Sequence, residues 1–140
     1  MGEEGPTAEN PGKELVGRVL AGRYRILEML GEGAMGAVYL AEHLHIGRRD
    51  AIKVLRPSLS KDPEAIARFT RGARNASRVR HPNVLAIHGA EASDGLVGLW
   101  CELIDGPTLE GLVNDGEAFA DEALLAIAEQ LCGALGAVHE

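Results

Sequence analysis

The sequence predicts an α+β chain in which a five-stranded antiparallel sheet and one helix come first and two helices follow. Three observations predict it. Two apolar runs, Tyr24 to Leu30 and Ala37 to Glu42, flank a glycine-dense turn and read as a hairpin. A single amphipathic stretch over 63–79 interrupts the strand signals, with apolar residues at spacings of three and four. After Gly106-Pro107 the apolar spacing is helical, over 108–113 and again over 121–139.

Residues 1 to about 13 are rich in Gly, Pro and Glu with little to bury, so a disordered head over 1–14 is expected. Strand signals begin at Tyr24. The third strand, Ala51 to Leu55, follows a polar turn over 43–49 and places Lys53 between apolar neighbours. Asp62 then caps a helix whose first turn tolerates Pro63. Its apolar positions Ile66, Phe69, Ala73, Ala76 and Val79 are offset from a stripe of Arg68, Arg71, Arg74 and Arg78 that reads as a solvated face. His81-Pro82-Asn83 ends it. Two further strands, 84–90 and 96–104, are separated by the turn-rich Ala92-Ser93-Asp94-Gly95. In the last helix Leu124, Ala128, Leu131, Leu135 and Val138 form a stripe that Leu125, Ile127 and Cys132 widen, so it expects burial on several sides. Left bare, helix 121–139 would promote self-association.

With 140 residues, 46% apolar and 25% charged, the composition is that of one soluble globular domain or part of one. The net charge of −7 is uneven. All 14 basic residues lie at or before Arg80, against 10 acidic ones there, giving +4; the last 60 residues carry −11. An acidic second half suits basic protein partners, and no nucleic-acid partner is expected. Cys101 and Cys132 lie among apolar neighbours without metal-ligand spacing, which suggests reduced thiols. His43 and His45 have no further ligands nearby, so no metal site is expected. There is no signal pattern and no membrane-length apolar run, and Pro6 removes the myristoylation pattern from Met1-Gly2; a cytoplasmic location is expected.

The segment Leu30-Gly31-Glu32-Gly33-Ala34-Met35-Gly36-Ala37-Val38 is the chemically informative one. Strand residues follow its third glycine, which disfavours a dinucleotide-binding turn, and no Gly-Lys-Ser/Thr closes it, which excludes a P-loop. A hairpin whose glycines let backbone N–H groups approach phosphate, with Lys53 on the next strand, fits both. In these motifs the chain resembles the protein kinase family, most of all bacterial Ser/Thr kinases of the eukaryotic type, over residues 15–140. The resemblance implies an N-terminal lobe and hinge over 15–104 and the start of a C-terminal lobe over 105–140. It implies ATP as ligand, Mg²⁺ as the family's metal, and a protein substrate or partner kinase. Leu30, Val38 and Ala51 would sandwich adenine, Gly31, Gly33 and Gly36 would arch over the phosphates with Met35 at the tip, and Lys53 would contact the α- and β-phosphates. Within Trp100-Cys101-Glu102-Leu103-Ile104, Cys101 would guard the back pocket, and the backbones of Glu102 and Ile104 would bond the adenine edge. Trp100 is assigned no role beyond the core.

Two departures stand out. Gly72 occupies the position where the family has a helix glutamate paired with the strand lysine, and a mid-helix glycine costs about 1 kcal/mol against alanine. Glu64 lies two turns away. Asp50 replaces a usually apolar residue, which raises the cost of burying that strand end. The family's catalytic loop and metal-binding motif would fall after residue 140, so no catalytic residue and no metal ligand is assigned within the chain. By itself it is expected to be inactive in phosphoryl transfer, and a non-catalytic, pseudokinase-like interaction module is the alternative.

Overall fold

A computed structural model describes residues 13–93 and 95–140. Its strands are β1 (Val19–Leu20), β2 (Tyr24–Glu32), β3 (Gly36–His43), β4 (Arg49–Leu55), β5 (Ile87–Ser93) and β6 (Leu96–Glu102), and its helices α1 (Pro63–Ser77), α2 (Leu109–Asn114) and α3 (Asp121–His139). The strands form one antiparallel sheet in the order β1-β2-β3-β4-β6-β5. The sixth strand, unexpected from sequence, is the two-residue β1, too short to show a period.

Alternation along the strands separates two apolar clusters. On one face Ile26, Tyr39, Ile52, Val54 and Trp100 pack with Leu15, Leu20 and Tyr24. On the other, Leu55 and Val97 meet Phe69 of α1, with Met35, Ile66 and Leu99 around them. Ile26 and Ile52, 1% and 0% exposed, each contribute about 2 kcal/mol by leaving water. Leu15 reaches the first cluster because Lys13–Leu15 form a single 3-10 turn. Residues 1–12 of the expected head lie outside the described residues.

Helix α1 starts as its sequence requires: the Asp62 side chain accepts from the Glu64 N–H at 2.9 Å and Pro63 takes the first position. It ends two residues before the expected Val79. The N–H groups of Arg78 and Val79 tighten onto Asn75 O and Ala76 O, three residues back, ahead of the His81-Pro82 turn. The strand expected over 84–90 is displaced to Ile87–Ser93. Pairing decides this: Ser93 faces Leu96 in the β5–β6 register, and Gly95 at φ +75° permits the tight connection.

Asp50 is 1% exposed, yet it is not stranded. Arg48 donates to its Oδ2 from Nη2 at 2.8 Å and Nε at 3.1 Å, and His88 Nδ1 lies 3.7 Å from Oδ1. The Tyr24 hydroxyl shares this cluster, and burial and then the Asp50 charge push its pKa up. The buried charge is thus enclosed by groups from β2, the β3–β4 turn and β5.

Helix α3 has no buried residue, and Leu124, Leu125, Leu131, Leu135 and Val138 are all exposed. It touches the strand-rich part at the His81-Pro82-Asn83 turn, where Asn83 Nδ2 donates to Gln130 Oε1 at 3.1 Å. Gly133 lies there against the His81 ring, which a Cβ would approach to 3.3 Å. Among the described residues no helix is long and apolar enough to cross a membrane.

Candidate nucleotide-binding site

Register gathers the expected residues onto one face. Lys53 on β4 stands opposite Val38 on β3 and Leu99 on β6, while Ala51, two residues earlier and so on the same face, stands opposite Leu40 and Cys101. Ala51 and Cys101 are buried, Val38 and Lys53 half-buried. Gly31 pairs with Val38, bringing the start of the loop over this face, with Leu30 beside it and 47% exposed. Helix α1 covers the same face farther along, through the cluster of Leu55, Phe69 and Val97.

The three loop glycines are glycines for different reasons. A Cβ on Gly36 would meet the Val54 carbonyl oxygen at 1.9 Å, so this position is fixed by the approach of β3 to β4. A Cβ on Gly31 would meet nothing within 4 Å, and one on Gly33 only Gly36 O at 3.9 Å. Neither has positive φ. Among the described residues nothing in the packing requires glycine at 31 or 33, so the backbone there is open to close approach. The Gly33 N–H closes the tip onto Gly36 O at 2.8 Å, whereas the N–H groups of Ala34 and Met35 have no acceptor among the described residues. Adjacent unpaired N–H groups at a turn suit an anion. Met35 lies at this tip, as expected, and its side chain packs against the Leu55–Phe69–Val97 cluster.

At the segment expected to be the hinge, the Glu102 N–H donates to Ala86 O at 3.0 Å, and its carboxylate accepts from the Ala86 N–H at 2.8 Å. The side chain therefore fastens the segment leading into β5. Ile104 is 64% exposed just beyond β6, and its N–H has no acceptor among the described residues. Trp100 points to the opposite face, into the core, where its buried Nε1–H lacks a partner among the described residues. The Cys101 thiol donates to Ala51 O at 3.6 Å. Burial pushes its pKa up, Asp50 and Glu102 add to the rise, and Lys53 opposes it. A raised pKa leaves little thiolate near neutral pH, so iodoacetamide at pH 8 should label the exposed Cys132 and spare Cys101. Peptide mapping checks this; equal labelling would mean that the lysine face opens readily.

Lys53 makes no salt bridge to any described residue. Gly72 offers no carboxylate, and Glu64 is engaged with Arg68 at 3.3 Å in solvent. Among the described residues no cluster of His, Cys, Asp or Glu could hold a metal ion. Sequence reasoning missed Arg56. Its backbone N–H donates to Met35 O at 2.9 Å, and its guanidinium donates to Gly33 O at 2.6 Å and 3.2 Å. The only local signal is that it follows the Lys53 strand. It lines a cavity of about 380 Å³ behind the loop with Tyr39, Val54 and Leu96, away from the lysine face.

The protein kinase domain model matches residues 24–140. The serine/threonine-protein kinase PrkC of Bacillus subtilis (strain 168) is 36% identical over 126 residues, covering 90% of this chain and 19% of PrkC. The serine/threonine-protein kinase Pkn1 of Myxococcus xanthus is 40% identical over 125 residues, covering 89% of this chain and 18% of Pkn1. The crystal structure of the Mycobacterium tuberculosis PknI kinase domain superimposes with a TM-score of 0.72 at 34% identity, over 88% of this chain and 51% of that one. The chain thus spans about a fifth of these curated relatives and about half of a solved kinase domain. With a glycine loop beside a strand lysine and a family match over residues 24–140, this protein belongs to the protein kinase domain family, beside bacterial serine/threonine kinases.

Proposed function

We propose that these 140 residues form the ATP-binding part of a protein serine/threonine kinase. The observation that carries the reading is the face on which Val38, Ala51, Lys53 and Cys101 converge under a loop with unpaired N–H groups at Ala34 and Met35. Val38 and Ala51, with Leu30 above, supply an apolar slot for adenine. The Lys53 ammonium and the loop N–H groups supply positive charge for phosphate, and the backbone of Glu102 and Ile104 lies where the adenine edge would be read. ATP would bring Mg²⁺, and the family reaction moves its γ-phosphoryl group to a protein hydroxyl. None of the motifs recognised in this chain supplies the base or the metal ligands for that step, so the proposal for these residues alone is binding, not transfer.

A second reading, a non-catalytic module that docks a partner kinase, is favoured by one observation: among the described residues Lys53 has no carboxylate partner, and Gly72 cannot provide one. Thermal unfolding with Mg-ATP separates the two. The chain should be stabilised by ATP, by about 2.7 kcal/mol at a hundredfold excess over Kd, and Lys53→Met should abolish the shift. A folded chain with no shift would favour the docking module. Gly72→Glu has room, since a Cβ there meets nothing within 4 Å. It should tighten ATP by about threefold through a partly exposed ion pair. Its readout is the ATP-dependent shift, because the helix gains stability from losing glycine in any case.

A further inference from the structure

We propose that Arg56 is a positioning residue that sets the phosphate-facing conformation of the glycine loop. The inference rests on the nucleotide-binding reading above. Arg56 follows β4 and reaches the loop from behind: its side chain lines the cavity shared with Tyr39, Val54 and Leu96, on the sheet face opposite Lys53. From there Nη2 and Nε both donate to Gly33 O, at 2.6 Å and 3.2 Å, and Glu32 Oε1 lies 3.8 Å from Nη2. A charged donor on a backbone carbonyl is stronger than a neutral one. The described chain has no cis peptide, and in a planar trans peptide C=O and N–H point in opposite directions. Drawing the Gly33 carbonyl to the rear therefore turns the Ala34 N–H toward the lysine face.

Two further bonds make this peptide the adjustable one. The Arg56 backbone N–H holds Met35 O at 2.9 Å, and the Gly33 N–H is already used on Gly36 O at 2.8 Å. Both ends of the tip are fixed by backbone, and both would survive a side-chain change at position 56. The Gly33–Ala34 peptide is the part whose orientation depends on the Arg56 guanidinium. With glycine at 33 the backbone has little preference of its own, so without the guanidinium the peptide is free to turn its carbonyl toward the phosphates and repel them. Arg56 never touches the nucleotide in this arrangement. It acts through the loop and on phosphate only.

The test compares Mg-ATP, Mg-ADP and adenosine binding by calorimetry in the whole chain and its variants. Arg56→Met should weaken ATP and ADP by about tenfold, the loss of one loop N–H bond to a phosphate oxygen, and leave adenosine unchanged. Arg56→Gln should give the same split and serves if the methionine variant folds poorly. Glu32→Gln should leave all three ligands unchanged, because the carbonyl and not the ion pair is what matters. An unchanged ATP-to-adenosine ratio in the Arg56 variants, a parallel loss of all three ligands, or the same split in Glu32→Gln would each overturn the proposal. The carbonyl carbon resonance of Gly33 without nucleotide keeps the clamp separate from the binding reading. Arg56→Met should shift it upfield as the carbonyl loses its charged donors, and an unmoved resonance would overturn the clamp whatever the wild type binds. If the wild type binds neither nucleotide nor adenosine while that resonance does move, the nucleotide reading fails and the clamp stands as a property of the loop.

Discussion

Alanine at Gly36 should cost about 3 kcal/mol or more of folding stability, a midpoint loss of about 10 °C, the largest single-residue effect expected in this chain. The added methyl carbon would sit 1.9 Å from Val54 O, 2.8 Å from Val54 C and 3.1 Å from the Leu55 Cα. All three are backbone atoms of the neighbouring strand, so no side chain can swing aside. Relief requires β3 to move off β4, which would undo the pairing of Gly36 with Leu55 and Val38 with Lys53. Gly31→Ala and Gly33→Ala are the controls. Their Cβ positions are open, and each should change stability by less than about 1 kcal/mol. Thermal unfolding of the three variants decides the matter. If Gly36→Ala unfolds like the other two, β3 and β4 are less closely apposed than described and the division of the glycines is wrong.

Around Asp50, removing the cation should do more harm than removing the carboxylate. Arg48→Met leaves a carboxylate that is 1% exposed with the His88 ring at 3.7 Å and the Tyr24 hydroxyl as its remaining partners. A buried charge that loses its counter-ion is strongly destabilising, whereas a buried pair replaced by apolar groups is often close to neutral. Asp50→Val places a β-branched residue on a central strand beside Ala41 and Tyr24, and should stay within about 1 kcal/mol of the wild type. The double variant Arg48→Met/Asp50→Val should recover most of what Arg48→Met loses. Midpoints in urea for the four proteins make the cycle. A double variant no better than Arg48→Met alone would mean that Arg48 acts through packing of its stem, not its charge.

What could be read from the sequence was what local pattern encodes. The glycine turn between two strands, Lys53 among apolar neighbours, and the Asp62-Pro63 helix start all depend on residues within a few positions of one another, and each is where it was expected. The family resemblance supplied the pairing of loop and hinge, and the register carries it out by setting Ala51 against Cys101. What could not be read depends on distant partners. Arg56 and Gly33 are 23 residues apart, and nothing near either announces the bond. Asp50 looked like a cost because Tyr24 and His88, which enclose it, arrive from other strands. The start of β5 was misplaced because hairpin register with β6, not the composition of 84–90, sets where that strand lies. Gly36 was grouped with Gly31 and Gly33 by motif, although the constraint on it is the Val54 carbonyl.

The stitching of residues 15–26 bears on where this domain begins. The family match starts at Tyr24, but the Gly17 N–H donates to Ile26 O at 2.8 Å and the Ile26 N–H donates to Arg18 O at 2.9 Å. Leu15 and Leu20, 7% and 4% exposed, lie in the same cluster as Tyr39 and Ile52. A fragment cut at the family boundary would keep every residue of the recognisable motif and yet bare one flank of the sheet's interior, leaving Ile26 to water on both its N–H and C=O sides. The folding unit therefore reaches back at least to Leu15, nine residues before the family match begins.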